Sequence, residues 1–161
     1  MTRNPGSLIH HKPIHAVGAI AYRYDARDRL QILLIKKRQG FWTLPKGKVY
    51  PTEDDTSTLQ RELYEETGLT GIVEESVAQV IYITPRRQLP RRKIVTYYLV
   101  HVAPDAIAAP GGHPGERIER VRWVTPVGAL HRVKRKRIRK IIACAREVLR
   151  RRQQDHRVAD R

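Results

Sequence analysis

The segment from Gly47 to Leu69, GKVYPTEDDTSTLQRELYEETGL, constrains this chain more than any other stretch of its 161 residues. Glu62, Glu65 and Glu66 stand at i, i+3 and i+4, so at about 3.6 residues per turn their carboxylates leave one face of a helix. Like charges so placed destabilise an isolated helix by about 0.2 to 0.5 kcal/mol per pair. A divalent cation reverses that sign. Hard oxygen ligands of this kind suit Mg²⁺ or Mn²⁺, whose shell is commonly completed by water and by the phosphates of a substrate. The spacing therefore points to a helix that faces metal and phosphate.

The helix has its own start and stop signals. Thr52 followed by Asp55 resembles a capping box, Glu53, Asp54 and Asp55 suit the positive helix start, and Gly68 supplies the C-terminal stop. Leu59 and Leu63, one turn apart, are expected to anchor it to a core. Ahead of it, Pro45, Gly47 and Pro51 predict a stiff, non-repetitive loop with a backbone carbonyl able to face the metal.

Gly47, Glu53, Arg61, Glu62, Leu63, Glu65, Glu66, Gly68 and Leu69 occupy every defined position of a spaced pattern: Gly, five residues, Glu, seven residues, Arg-Glu, aliphatic, any, Glu-Glu, any, Gly, aliphatic. In this the chain resembles the Nudix hydrolases. The resemblance implies a metal-dependent pyrophosphohydrolase with Glu62, Glu65 and Glu66 as ligands and the Gly47 carbonyl as a further one. It also implies that Arg61 and Glu53 pair to orient the helix. Family members often place the proton acceptor six residues ahead of a tryptophan. In GERIERVRW that place is held by Arg117, with Glu116 and Glu119 on either side. Glu116 is favoured as the base, with Glu62 as the alternative.

The lead-in Trp42-Thr-Leu-Pro-Lys-Gly47 resembles that of Nudix enzymes acting on dinucleoside or diphosphoinositol polyphosphates, and it sets Lys46 and Lys48 beside the metal. Pro85, sixteen residues past Leu69, is a feature of ADP-ribose-cleaving relatives. It is outweighed by the lysines and by the basic run 86–93, RRQLPRRK, which suit a longer phosphate chain. There Arg86, Arg87, Arg91, Arg92 and Lys93 are expected to grip outer phosphates. Trp42, Tyr82 and Tyr97 are candidates for stacking a base, while Trp123 reads as core.

Length and 40% hydrophobic content fit one core: a single domain over 1–153, with 154–161 expected as a flexible basic tail. Strands are expected at 14–24, 30–36, 75–83, 93–102 and 120–124, with a second helix over 134–152. That order resembles the Nudix fold, an α/β (α+β) sandwich with a mixed sheet between helices. The stretch 103–115, APDAIAAPGGHPG, reads as a flexible loop.

Charge is uneven. Residues 131–161 hold 13 lysines and arginines against 3 acids, and 86–93 add five cations and no acid, out of a total of +16. The last helix could thus make nonspecific RNA contact. Cys144, the single cysteine, excludes an internal disulfide or cysteine metal site and is expected to be a small buried residue. The absence of a long apolar run or secretory segment suggests a soluble, cytoplasmic protein with no membrane contact, monomeric or homodimeric.

The expected function is hydrolysis of a phosphoanhydride in a nucleoside or dinucleoside polyphosphate. Alternatives are a diphosphoinositol polyphosphate, an RNA 5′-end, ADP-ribose, or a non-catalytic nucleic-acid-binding regulator on the same fold.

Overall fold

The structure, a computed structural model, describes residues 12–38, 40–84, 90–113 and 115–161. The chain runs β1 (Ile14–Tyr24), β2 (Leu30–Lys37), β3 (Trp42–Thr43), β4 (Lys46–Lys48), α1 (Asp55–Thr67), β5 (Ile72–Ile83), β6 (Arg92–His101), β7 (Ile118–Val124), α2 (Pro126–Arg132) and α3 (Lys136–Ala159). The strands form one mixed sheet in the order β3-β2-β1-β6-β5, with β4 on β1 and β7 on β2. Helix α1 covers one face and α2 with α3 the other, giving the expected sandwich.

Two apolar clusters hold these layers. Ile20, Ile32, Leu34, Tyr97 and Leu99 pack against Ile138, Ile141, Ile142, Ala145 and Leu149 of α3. On the opposite face Val17, Ala19, Leu33 and Val100 pack against Leu59, Leu63 and Leu69. Each such large side chain, fully buried, contributes about 1.5 to 3 kcal/mol.

The sheet parts in the middle, and the parting places the site. β1 pairs with β2 only at Tyr22↔Ile32, Arg23↔Gln31 and Tyr24↔Leu30, next to the turn. Beyond that the two strands take different partners. β4 joins β1 at Ala16↔Lys48, Val17↔Gly47 and Gly18↔Lys46, while β3 joins β2 at Ile35↔Thr43 and Lys36↔Trp42. The segment 42–48 is thus a wedge between diverging strands, where a non-repetitive loop was expected. β1 and β6 run parallel in unbroken register from Ile14↔Lys93 to Tyr22↔His101.

Other boundaries shift for local reasons. The N-cap of α1 is Asp54, whose carboxylate accepts from the Ser57 amide at 2.7 Å, rather than Thr52. Gly68 closes α1 as expected, at φ 71, the left-handed region that glycine enters without strain. The short helix α2 was not foreseen; Thr125 caps it and Pro126 opens it. Helix α3 continues to Ala159, through most of 154–161, and that stretch is not basic: Arg157 and Arg161 are matched by Asp155 and Asp160. Cys144 is exposed, because the buried stripe of α3 runs through Ile141, Ile142 and Ala145. No helix among the described residues is long and apolar enough to cross a membrane.

Candidate active site

Gly47 and Glu62 meet across the gap between β4 and α1. A Cβ on Gly47 would fall inside the Glu62 carboxyl group, so only glycine lets the helix approach this closely. The glycine that opens the signature is therefore a packing requirement.

Arg61 organises the acids around it. Its Nε donates to Glu53 Oε2 at 2.7 Å and its Nη2 to Glu53 Oε1 at 3.0 Å, a two-pronged ion pair. Nη1 reaches Glu62 at 2.9 Å and Glu65 at 3.3 Å, and the guanidinium lies 4.8 Å from the Tyr50 ring centre. The hydrogen bond from Arg61 holds the Glu53 carboxyl below its ordinary range, and the same bond raises Arg61. For Glu62, burial outweighs the bond and charge of Arg61, so its carboxyl is raised.

Glu66 is the outlier. It is 5% exposed, and among the described residues its Oε2 is buried with no hydrogen-bond partner. Burial pushes its carboxyl up to about 8; Lys37 and the Lys46 backbone amide oppose the shift, while Glu62 and Glu116 add to it. A buried carboxyl oxygen without a partner is costly to ionise unless a cation compensates it. Among the described residues no three acids or histidines converge as a ready metal cage. The Arg61 N–H groups hold Glu62 and Glu65 instead. The donor set of hard carboxylate oxygens, one already lacking a partner, fits a divalent cation.

The glycine-rich stretch after β6 completes one wall. It was expected to be a flexible loop, but it caps the C-terminal end of α1. Ala109 N–H donates to Thr67 O at 2.9 Å, Gly111 to Glu66 O at 3.0 Å and Gly112 to Glu65 O at 2.7 Å. A Cβ on Gly111 would strike the Glu65 carbonyl, and Gly112 sits at φ 106. This capping brings His113 Nε2 to 2.8 Å from Glu65 Oε2. It also leads into exposed Glu116, 4.0 Å from Lys37 and beside a groove lined by Lys37, Arg38, Gly115, Glu116 and Arg117. A separate cavity lined by Tyr22, Tyr24, His101 and Arg152 lies at the far end of β1, away from these carboxylates.

The expected phosphate and base residues fare unevenly. Arg86 and Arg87 lie outside the described residues. The Arg91 guanidinium donates to the Lys12 carbonyl at 2.6 Å and 3.2 Å. Arg92 is exposed, and Lys93, next along β6, turns to the other face opposite Tyr82. Lys48 is exposed; Lys46 is half-buried, its Nζ 3.4 Å from the Tyr82 hydroxyl. Tyr97 is a correction: at 2% exposure it packs against Gly18 in the core, because position 97 shares the inward face of β6 with Val95 and Leu99. Trp42 is half-buried at the edge of the same cluster, and Trp123 sits at the margin of the other with Arg23 stacked on its ring at 4.2 Å. His113, Lys37 and Tyr50 were missed. No spacing signals a histidine held by backbone bonds of its glycine neighbours.

A sheet between helices, with a glycine-seated glutamate helix at the parting of its strands, defines the class. The chain belongs to the NUDIX domain family, whose pattern matches residues 14–144. It is similar to the mouse asymmetrical bis(5′-nucleosyl)-tetraphosphatase, 38% identical over 100 residues that cover 55% of this chain and 65% of that one. It is also similar to an 8-oxo-(d)GTP phosphatase of Mycolicibacterium smegmatis, 28% identical over 128 residues, covering 72% of this chain and 36% of the relative. The chain thus spans less than two thirds of the length of these relatives. Its fold is shared with a Caenorhabditis elegans Ap4A hydrolase, at a TM-score of 0.69 and 20% identity, over 84% of this chain and 97% of that one.

Proposed function

We propose that the chain is a divalent-cation-assisted hydrolase of a phosphoanhydride bond in a nucleoside or dinucleoside polyphosphate. The observation that carries this reading is the buried, unpartnered Glu66 oxygen beside Glu62 and Gly47. A retired site has no reason to keep it. The name of the mouse relative favours a dinucleoside polyphosphate over the other substrates considered.

Glu62, Glu65 and Glu66, with the Gly47 carbonyl, would hold Mg²⁺ or Mn²⁺. Such a cation supplies positive charge against the phosphates and acidifies water. The chain's own residues do the rest. Glu53 and Tyr50 fix Arg61, and Arg61 in turn fixes the rotamers of Glu62 and Glu65. Glu116, exposed at the groove and near Lys37, accepts the proton of the attacking water, with Glu62 as the alternative base. Lys46 and Lys93 draw the substrate's phosphates to the opposite face of the wedge.

The test is a panel of dinucleoside polyphosphates, nucleoside triphosphates and ADP-ribose with Mg²⁺ or Mn²⁺, read by chromatography of the products. Asymmetric cleavage of a dinucleoside tetraphosphate, lost in Glu65→Gln, is expected. No product from any substrate, or no effect of Glu65→Gln, defeats the reading.

A further inference from the structure

Helix α3 opens with charge in an unfavourable place. Lys134 to Lys140, KRKRIRK, holds no acid, and the first turn sits at the positive end of the helix dipole. Arg135, the N-cap, makes no side-chain capping bond. Among the described residues, Lys134, Arg135, Lys136, Arg137 and Lys140 have no ion pair, in contrast to Arg150, Arg151 and Arg152 further along. The Arg139 guanidinium alone is turned inward, to the Val133 carbonyl at 3.2 Å and to that of Leu130.

Two of these cations are nevertheless held in place by rings. Arg137 lies over the Tyr82 ring at 4.2 Å, with Lys46 on the same tyrosine at 5.8 Å. Arg135 lies 5.5 Å from the ring of Phe41, a large apolar side chain left 50% exposed. A guanidinium stacked on an aromatic face keeps its in-plane N–H fork free and spends less rotamer entropy on binding a phosphate. Lys93 faces the same tyrosine, opposite it in the β5 and β6 register. Lys46 joins this row to the acids through its neighbour in the chain, because Gly47 seats the Glu62 carboxyl while Lys46 Nζ lies 3.4 Å from the Tyr82 hydroxyl.

We infer that Arg135 and Arg137, pinned on Phe41 and Tyr82, form with Lys46 and Lys93 a binding surface for the phosphates of an oligophosphate chain beyond the bond that is cut. This rests on the proposed hydrolysis and extends it. The outer-phosphate grip expected of Arg86, Arg87, Arg91, Arg92 and Lys93 thereby gains cations from α3, a helix contributed from the other end of the chain. The ligand chemistry is a run of four or more phosphates, free or carried at both ends by nucleosides. A 5′-triphosphorylated RNA offers three phosphates and then a single-stranded backbone.

The experiment compares wild-type protein, Arg135→Ser with Arg137→Ser, and a control of equal charge loss on the same helix, Arg150→Ser with Arg151→Ser. KM and kcat are measured for dinucleoside tri-, tetra- and pentaphosphates, and calorimetry follows binding of inorganic pentaphosphate without divalent metal. In the first variant, KM for the tetra- and pentaphosphates is expected to rise about tenfold with kcat unchanged, and pentaphosphate affinity to fall by a similar factor. The triphosphate and the control variant are expected to change by less than about twofold. Lysine at both positions restores part of the affinity, since it keeps charge and loses the fork. Equal changes across chain lengths, equal effects in the control, or unchanged pentaphosphate binding overturn the inference. If no substrate is hydrolysed yet pentaphosphate binding falls only in the first variant, the hydrolase reading fails and the surface stands. If a 5′-triphosphorylated oligoribonucleotide loses affinity while pentaphosphate does not, the ridge is a nucleic-acid surface and the inference falls.

Discussion

Helices α1 and α3 lie on opposite faces of one sheet and carry opposite charge, but they treat that charge differently. In α1 the acids are gathered around Arg61 and His113, and one of them, Glu66, is buried. In α3 the buried residues are apolar, and the opening cations stand exposed without counter-charges among the described residues. A charged group enters a dry pocket only where some compensating group offsets its lost hydration. Crowded charge on a wet surface costs little. The difference teaches that α1 is shaped around a small, fixed ligand, whereas α3 offers an open surface to a longer, flexible one.

The contrast breaks first at Glu66. Glu66→Gln is expected to lower kcat/KM by about a thousandfold, the scale of several kcal/mol of lost charge stabilisation. The same change is expected to stabilise the metal-free protein at high pH. In the folded chain burial disfavours the charge of this carboxyl and pushes it up to about 8, from the ordinary 4.5 of the unfolded chain. The associated stability is fully present below about pH 4.5 and is lost as pH rises toward about 8. Melting temperatures of metal-free protein across this window should fall for wild type and stay flatter for Glu66→Gln. Parallel curves would show that Glu66 is not desolvated, and the contrast with α3 would go.

Gly47→Ala tests whether the helix seat is as tight as the geometry requires. Overpacking at such a contact costs about 1 to 3 kcal/mol, so a lower melting temperature and an activity loss of about a hundredfold are expected. An active, undisturbed alanine variant would mean that Glu62 moves freely. Glu53→Gln should cost about tenfold in kcat with KM little changed, the ordinary scale for a residue that positions ligands. A loss as large as that of Glu66→Gln would place Glu53 among the ligands. The smallest effect belongs to α3: replacing Arg150 and Arg151 by serine removes exposed pairs to Glu147 at 2.8 Å and 3.1 Å. Thermal melting should shift by about a degree or less.

The signature helix was legible because its information is local: spacing sets the face, and Gly68 ends the helix where the sequence says. The long strands were legible from their apolar runs. What was hidden depends on partners far along the chain. β3 and β4 are too short to carry a period, and they become strands only because β1 and β2 part. The inward face of β6 could not be read from KIVTYYLV, where both alternations are apolar enough, so Tyr97 stood among the stacking candidates although it is a core residue. The 103–115 stretch looked mobile by composition, yet glycine is what lets its backbone reach the orphan carbonyls of α1. The sequence located a second basic centre but could not tell which cations are held by rings and which, like Arg91, are turned to a carbonyl.

The parting of β1 and β2 has a consequence for how the site comes into being. Gly47 is held by β1, and β1 is held along its length by β6, a strand made some eighty residues later, at a loop-closure cost that local contacts do not meet. A peptide of 47–69 would therefore contain the whole signature and assemble no site. Function should appear late and all at once during folding, with the last long-range pairing, so that recovery of activity can serve as a clock for completion of the sheet.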